Sequence, residues 1–183
     1  FIEGGNSRQK SAFNALSFLK KYSYKYVMIH DAARPFTSKK LIDKLYNKLQ
    51  KVKTAVIPVI KIQDSLKFCE KNKVKKNINR DNLFLTQTPQ LFEYKSLHKA
   101  YLHNEEKLHN FTDDAQIFAK SNLIIHTMPG DIENIKLTTI KDWTNKINML
   151  KENFIIKIGH GFDTHKLIKG KSITLFGIKI PHK

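Results

Sequence analysis

His30-Asp31-Ala32-Ala33-Arg34-Pro35 follows directly on the apolar run Tyr26 to Ile29 and leads to an amphipathic stretch opened by Thr37 and Ser38. A short buried-strand pattern, a carboxylate beside small residues and then a helix cap suit an α/β sheet, where ligands gather at strand ends and helix starts. A carboxylate just past a strand end can hold a magnesium ion with its waters, and Ala32 and Ala33 leave room for a ribose. Arg34 adds a planar fork suited to a phosphate, and His30 reads as a structural hydrogen-bonding residue.

Working outward, the spacing predicts a helix over 8–20, with Ala12, Ala15, Leu16 and Leu19 on one face, and another through Leu41, Ile42, Leu45 and Leu49 capped by Thr37 or Ser38. Thr54 to Val59 is strand-like and stopped by Pro58, and Leu66 to Phe68 with Lys73 to Ile78 makes a small hairpin arm. Helices are expected over 94–102 and over 113–120, the latter capped by Thr112 and favoured by acidic residues at its positive end. A strand over 123–127 follows, and Thr139 with Asp142 makes a capping-box-like start to a helix reaching about Leu150. Strands alternating with helices argue for a mostly parallel sheet covered on both faces.

Three further stretches carry chemistry. Gly4-Gly5-Asn6-Ser7-Arg8, with Ser11, lets a base or phosphate approach the backbone at a helix start. Gln87-Thr88-Pro89-Gln90 and Asn134-Ile135-Lys136-Leu137-Thr138 set short polar and cationic residues beside predicted element ends. In order and spacing these stretches resemble the 2-C-methyl-D-erythritol 4-phosphate cytidylyltransferases, nucleotide-activating enzymes of the non-mevalonate isoprenoid route. The resemblance implies a Rossmann-like nucleotidyltransferase sheet with helices on both faces, acting on CTP and methylerythritol phosphate with Mg2+. It places Gly5, Asn6 and Ser11 at the cytosine, and Asp31 on the metal as a catalytic residue. Ala32, Arg34, Ser65 and Thr88 then line the substrates, while Arg80 and Lys136 position the acceptor for attack. Pro58 to Lys67 resembles the start of an arm that crosses to a second subunit, implying a homodimer. Ser65 stands where the family usually has Thr, and Phe84 where Trp is common. The family's preceding Gly-rich loop, with an Arg and a Lys for the triphosphate, has no counterpart in these residues, which together with the missing initiator Met suits a segment of a longer polypeptide.

Ile158-Gly159-His160-Gly161-Phe162-Asp163-Thr164-His165 fits neither that fold nor that chemistry. On a strand Asp163 and His165 would face the same side and could share one metal, although a zinc site needs three or four ligands. The stretch resembles the opening of 2-C-methyl-D-erythritol 2,4-cyclodiphosphate synthase, which implies Zn2+ or another divalent cation, a homotrimer and a second, lyase activity. The expected organisation is a cytidylyltransferase domain over 1–150, a joint at Lys151-Glu152-Asn153, and the beginning of a second α/β domain over 154–183, with strands over 154–158 and 173–180.

Composition constrains the alternatives. The formal charge of +17 comes almost wholly from lysines spread among Asn and Ile, not from an aromatic-laced groove or an Arg-rich helix face, so a nucleic-acid-binding module is disfavoured. The positive field suits phosphate-bearing substrates instead. No apolar run has the length of a membrane span, no secretory signal opens the sequence, and the single Cys69 forms no internal disulfide, all of which fits a cytoplasmic enzyme. The rival within the fold class is another nucleotidyltransferase acting on a polyol or sugar phosphate such as ribitol phosphate, which shares much of the Asp-Ala-Ala-Arg-Pro region.

Overall fold

The computed structural model describes residues 1–152, 172–175 and 178–181. The expected metal pair Asp163 and His165, and the expected strand over 154–158, lie outside the described residues. The chain divides into two compact units, Phe1–Trp143 and Thr144–Lys183. In the second unit, β8 (Ser172–Leu175) and β9 (Ile178–Pro181) pair antiparallel, with Ile173 opposite Ile180.

The first unit contains α1 (Arg8–Leu19), β1 (Tyr26–Ile29), α2 (Lys39–Val52), β2 (Ala55–Lys61), β3 (Leu66–Glu70), β4 (Lys73–Ile78), β5 (Phe84–Thr86), β6 (Gln90–Glu93), α3 (Tyr94–His103), α4 (Asp114–Lys120) and β7 (Ile125–Pro129). α5 (Ile140–Glu152) starts in this unit and continues through Lys151 and Glu152 of the expected joint. Its start is the reciprocal cap foreseen from sequence: Asp142 Oδ2 accepts from the Thr139 amide at 2.8 Å, and Thr139 Oγ1 accepts from the Asp142 amide at 3.2 Å.

The sheet runs β1-β6-β2-β5, with β7 pairing β2. β7 is parallel to β2, but β5 and β6 run antiparallel to it, and β6 runs antiparallel to β1. The expectation of a mostly parallel sheet is therefore corrected to a mixed one. The reason is the stretch after the arm, which enters the sheet reversed between β1 and β2 and is too short and interrupted to show a strand periodicity in the sequence. β5 and β6 are one interrupted strand. Val59 faces Thr86 while Val56 faces Leu91, so three steps along β2 correspond to five along the neighbour. The surplus lies in the bulge Gln87-Thr88-Pro89, which has a cis Thr88–Pro89 bond.

That bulge also explains why Pro58 does not stop β2, as the sequence had suggested. The Pro58 carbonyl accepts from the Gln87 amide at 2.9 Å, so its donorless nitrogen faces the edge where the ladder is already broken. Two other boundaries shift for local reasons. Asp113, not Thr112, caps α4, its Oδ1 accepting from the Gln116 amide at 2.9 Å. β7 begins at Ile125 rather than Leu123, because Asn122 (φ 57°) turns the chain before pairing with Ala55 begins.

Adjacent residues of β2 feed opposite layers. Ala55, with Phe92, packs against α1, α3 and α4 through Phe13, Leu16, Leu97, Tyr101, Ile117 and Phe118. Val56, with Leu91 and Met128, packs against Leu41, Leu45 and Leu49 of α2. The four-residue spacing of those leucines presents one stripe to the sheet, and each buried side chain contributes about 2 kcal/mol. Ser38 caps α2 by accepting from the Leu41 amide at 3.2 Å. The helices thus cover both faces and leave the end of β1 open to ligands. Among the described residues no helix is long and apolar enough to cross a membrane.

Candidate active site

The chain leaves β1 at Ile29 and turns tightly, the Arg34 amide donating to the Asp31 carbonyl at 2.9 Å. The turn is anchored to the β5–β6 bulge and to residues 131–137. Thr88 Oγ1 accepts from the Asp31 amide at 3.0 Å and meets His30 Nδ1 at 3.1 Å. His30 Nε2 lies 2.9 Å from the Arg34 carbonyl, so both ring nitrogens are engaged, as expected of a structural histidine. Asn134, fully buried, donates to the Thr88 carbonyl and accepts from Thr37, both at 2.8 Å. The Gln87 amide group donates to the carbonyls of Asp131 and Asn134 and accepts from the Asp131 amide. Gly130 is required here, since a Cβ on it would fall 2.3 Å from Gln87 Oε1. The Leu137 amide donates to the Ala33 carbonyl at 2.8 Å and brings Lys136 over the turn.

The result is a cleft of ≈ 470 Å³ lined by Arg8, Ser11, Ala12, Ile29, His30, Asp31, Ala32, Ala33 and Lys136. Asp31 is its carboxylate: Lys136 Nζ is 3.2 Å from Oδ2 and Arg8 NH2 is 3.5 Å from Oδ1. Partial burial pushes the Asp31 carboxyl up, but the hydrogen bond and charge of Lys136, with Arg8 and Arg34, leave it below its ordinary value. Two larger hollows lack this arrangement: one of ≈ 690 Å³ between α3 and α4 has no carboxylate among its lining residues, and one of ≈ 1060 Å³ beyond α3 has Glu105 and Glu106 but none of the sequence-marked site residues. Chemistry, not size, marks the smaller cleft.

The start of α1 closes one side. Ser11 Oγ accepts from the Gly5 amide and donates to the Ser7 carbonyl, each at 2.9 Å, which ties the glycine turn to the helix. A Cβ on Gly5 would lie 2.4 Å from the Lys10 side chain, so glycine is needed. Asn6 is exposed beside this turn, and Ala32 is exposed at the opposite rim.

The structure brings Gly5, Ser11, Asp31, Ala32, Thr88 and Lys136 together, but it treats the other expected residues differently. Arg34, read from sequence as a phosphate fork, donates to the Asn134 carbonyl at 2.7 Å and lies 3.5 Å from the Thr86 carbonyl. Burial lowers its pKa, with Asp31 acting in the opposite sense. In this chain Arg34 braces the turn. Arg80 and Ser65 lie at the base of the β3–β4 arm, where Arg80 donates to the Gln63 carbonyl, and Ser65 is exposed. The lining of the Asp31 cleft includes neither of them.

Arg8 and Asp114 were missed as site residues. Arg8 NH2 donates to Asp114 Oδ2 at 2.7 Å, and Tyr101 donates its hydroxyl to Asp114 Oδ1. A signal was available for Asp114: it shares a helical stripe with Ile117 and Phe118, and an acidic residue on an apolar stripe requires a buried partner.

Residues 1–152 match the family described as IspD, 2-C-methyl-D-erythritol 4-phosphate cytidylyltransferase. A bifunctional enzyme IspD/IspF of Pelagibacter ubique (strain HTCC1062) is 42% identical over 98% of this chain and 45% of its own length. The chain thus spans about half the length of the curated relatives it matches. The crystal structure of the 2-C-methyl-D-erythritol 4-phosphate cytidylyltransferase from Thermus thermophilus is similar at 28% identity and TM-score 0.74, covering 82% of this chain and 73% of that one. The bifunctional IspDF from Campylobacter jejuni is similar at 32% identity and TM-score 0.65, over 79% of this chain and 36% of that one.

Proposed function

The chain belongs to the 2-C-methyl-D-erythritol 4-phosphate cytidylyltransferase family, and from that premise we propose that it transfers CMP from CTP to 2-C-methyl-D-erythritol 4-phosphate, releasing pyrophosphate. The observation that carries this reading is Asp31 at the end of β1, facing a cleft between Lys136 and Arg8 and bordered by the Gly5–Ser11 turn. Gly5, Asn6 and Ser11 would hold the cytosine through backbone and short polar groups. Lys136 is a flexible cation that can leave Asp31 for a phosphate, and with Arg80 it would hold the acceptor for in-line attack on the α-phosphorus. Two cations suit a dianionic acceptor because they reduce its repulsion from the triphosphate.

Magnesium is the metal that the donor set fits. It needs one or two carboxylates plus substrate phosphates, not an all-protein cage. Asp31 is one ionised carboxylate open to the cleft, while both nitrogens of the neighbouring His30 are engaged. Asp31 would hold the ion, which when bound supplies charge neutralisation for the phosphates.

The likeness to bifunctional relatives supports a second activity of the whole polypeptide, cyclisation of the 2-phosphorylated CDP intermediate, whose 2-phosphate attacks the β-phosphorus and displaces CMP to give 2-C-methyl-D-erythritol 2,4-cyclodiphosphate, in a domain beginning near residue 154 and using Asp163 and His165 on Zn2+ or another divalent cation. A homodimer through the arm and a homotrimer through the second domain belong to the same reading. The test is pyrophosphate release from CTP with methylerythritol phosphate, run against ribitol phosphate. Turnover only with ribitol phosphate would replace this proposal with its nearest rival.

A further inference from the structure

Arg8 and Asp114 meet where the starts of α1 and α4 converge; Arg8 borders the cleft, and neither residue is assigned a contact with substrate in the reaction proposed above. Asp114 and Tyr101 are fully buried, and the Tyr101 hydroxyl donates to Asp114. One guanidinium nitrogen of Arg8 lies between two carboxylates, 2.7 Å from Asp114 Oδ2 and 3.5 Å from Asp31 Oδ1. The shorter contact is also the better shielded from water, so the attraction to Asp114 is the stronger of the two. Lys136, the other cation on Asp31, is a point charge on a flexible stem that a substrate phosphate can draw away. An Arg fork released onto Asp31 could grip both carboxylate oxygens and would be far harder to displace.

We propose that Asp114 is a positioning residue that keeps Arg8 off Asp31, leaving the cleft carboxylate available to a divalent cation. The inference rests on the reading of Asp31 as the metal-holding group. Tyr101 supports the arrangement by satisfying the second oxygen of Asp114, which keeps the buried carboxylate in register with Arg8.

The test uses manganese as the probe, titrated into the full-length polypeptide with CTP and no acceptor, and read by electron paramagnetic resonance. The binding component that Asp31→Asn abolishes belongs to this site; if that substitution abolishes none, the reading of Asp31 fails, and this inference with it. Given such a component, Asp114→Asn is expected to weaken it about tenfold, and adding Arg8→Gln should restore it to within about twofold of the unaltered protein. A folded Asp114→Asn protein with unchanged manganese binding, or a loss that persists in the double variant, overturns the proposal while leaving Asp31 in its role. Should Asp114→Asn not fold, Arg8→Gln alone decides. Binding within about twofold of the unaltered protein is expected, because Arg8 is already held by Asp114, and a tightening of about tenfold would show Arg8 competing at Asp31 after all.

Discussion

The cleft at the end of β1 and the β3–β4 arm carry residues of one proposed reaction, but they are held in opposite ways. Around the cleft, Gln87, Thr88 and Asn134 are buried polar residues whose hydrogen bonds join the turn after β1, the β5–β6 bulge and residues 131–137. On the arm, every residue from Lys67 to Asn77 is exposed, including Phe68 and Val74, and the hairpin turn Lys71-Asn72 takes left-handed φ angles of 47° and 62°. A network of buried, mutually satisfied groups fixes side chains before a ligand arrives. An exposed two-stranded ribbon has no such support of its own. On the proposed reading the nucleotide half of the site is preorganised within one chain, whereas the acceptor half, with Arg80 and Ser65, is completed when a second copy covers the arm.

The contrast breaks first at Asp31. Asp31→Asn is expected to lower pyrophosphate release at least ~100-fold while leaving the circular dichroism spectrum intact, and near-normal turnover at saturating magnesium would remove the cleft from the chemistry. Arg80→Ala and Lys136→Ala should each reduce productive use of methylerythritol phosphate by about 10–100-fold, with much smaller losses of CTP binding. If the arm is exchanged between subunits, mixed dimers of the two variants should regain part of the activity; equal losses of nucleotide and acceptor affinity would show both residues to be misplaced.

Stability sharpens the same comparison. Asn134→Ala leaves the Thr88 carbonyl without its side-chain partner and removes the shortest of the three contacts of the Thr37 hydroxyl, so urea unfolding should show a loss of about 1–3 kcal/mol. Val74→Ser on the arm should change the unfolding free energy by less than about 0.5 kcal/mol at concentrations where the protein is monomeric. A large concentration-dependent loss would locate the missing support of the arm in a second copy.

The smallest effect concerns the start of α5. The amides of Thr138 and Thr139 and the Thr138 hydroxyl hold the Asp142 carboxyl down to about 2, from an ordinary 3.8. A depressed value means that the stabilisation is present above the unfolded value and is lost as the pH falls through the folded one. Helical ellipticity of the unaltered protein and of Asp142→Asn should therefore differ near neutral pH and converge as the pH approaches 2. A difference that persists at that pH would mean that the cap acts without its charge.

How much of this was legible depended on the range of the interaction. Ser38 before an amphipathic leucine stripe, Thr139 with Asp142, and Asp31 at the end of an apolar run could all be read locally, because caps, helical faces and strand ends are set within a few residues. The family resemblance rested on motifs of the same short kind. What the tertiary structure alone decided lies across long separations. Arg34 bonds to the Asn134 carbonyl 100 residues away, and Arg8 to Asp114 across 106. Neither partner choice has a local signature: that Arg34 braces the turn, and that Arg8 borders the cleft, could not be read from sequence. The reversed strand between β1 and β2 was hidden for the same reason. A short strand interrupted by a bulge has little periodicity of its own and acquires its direction only from the neighbours whose backbone groups it must satisfy.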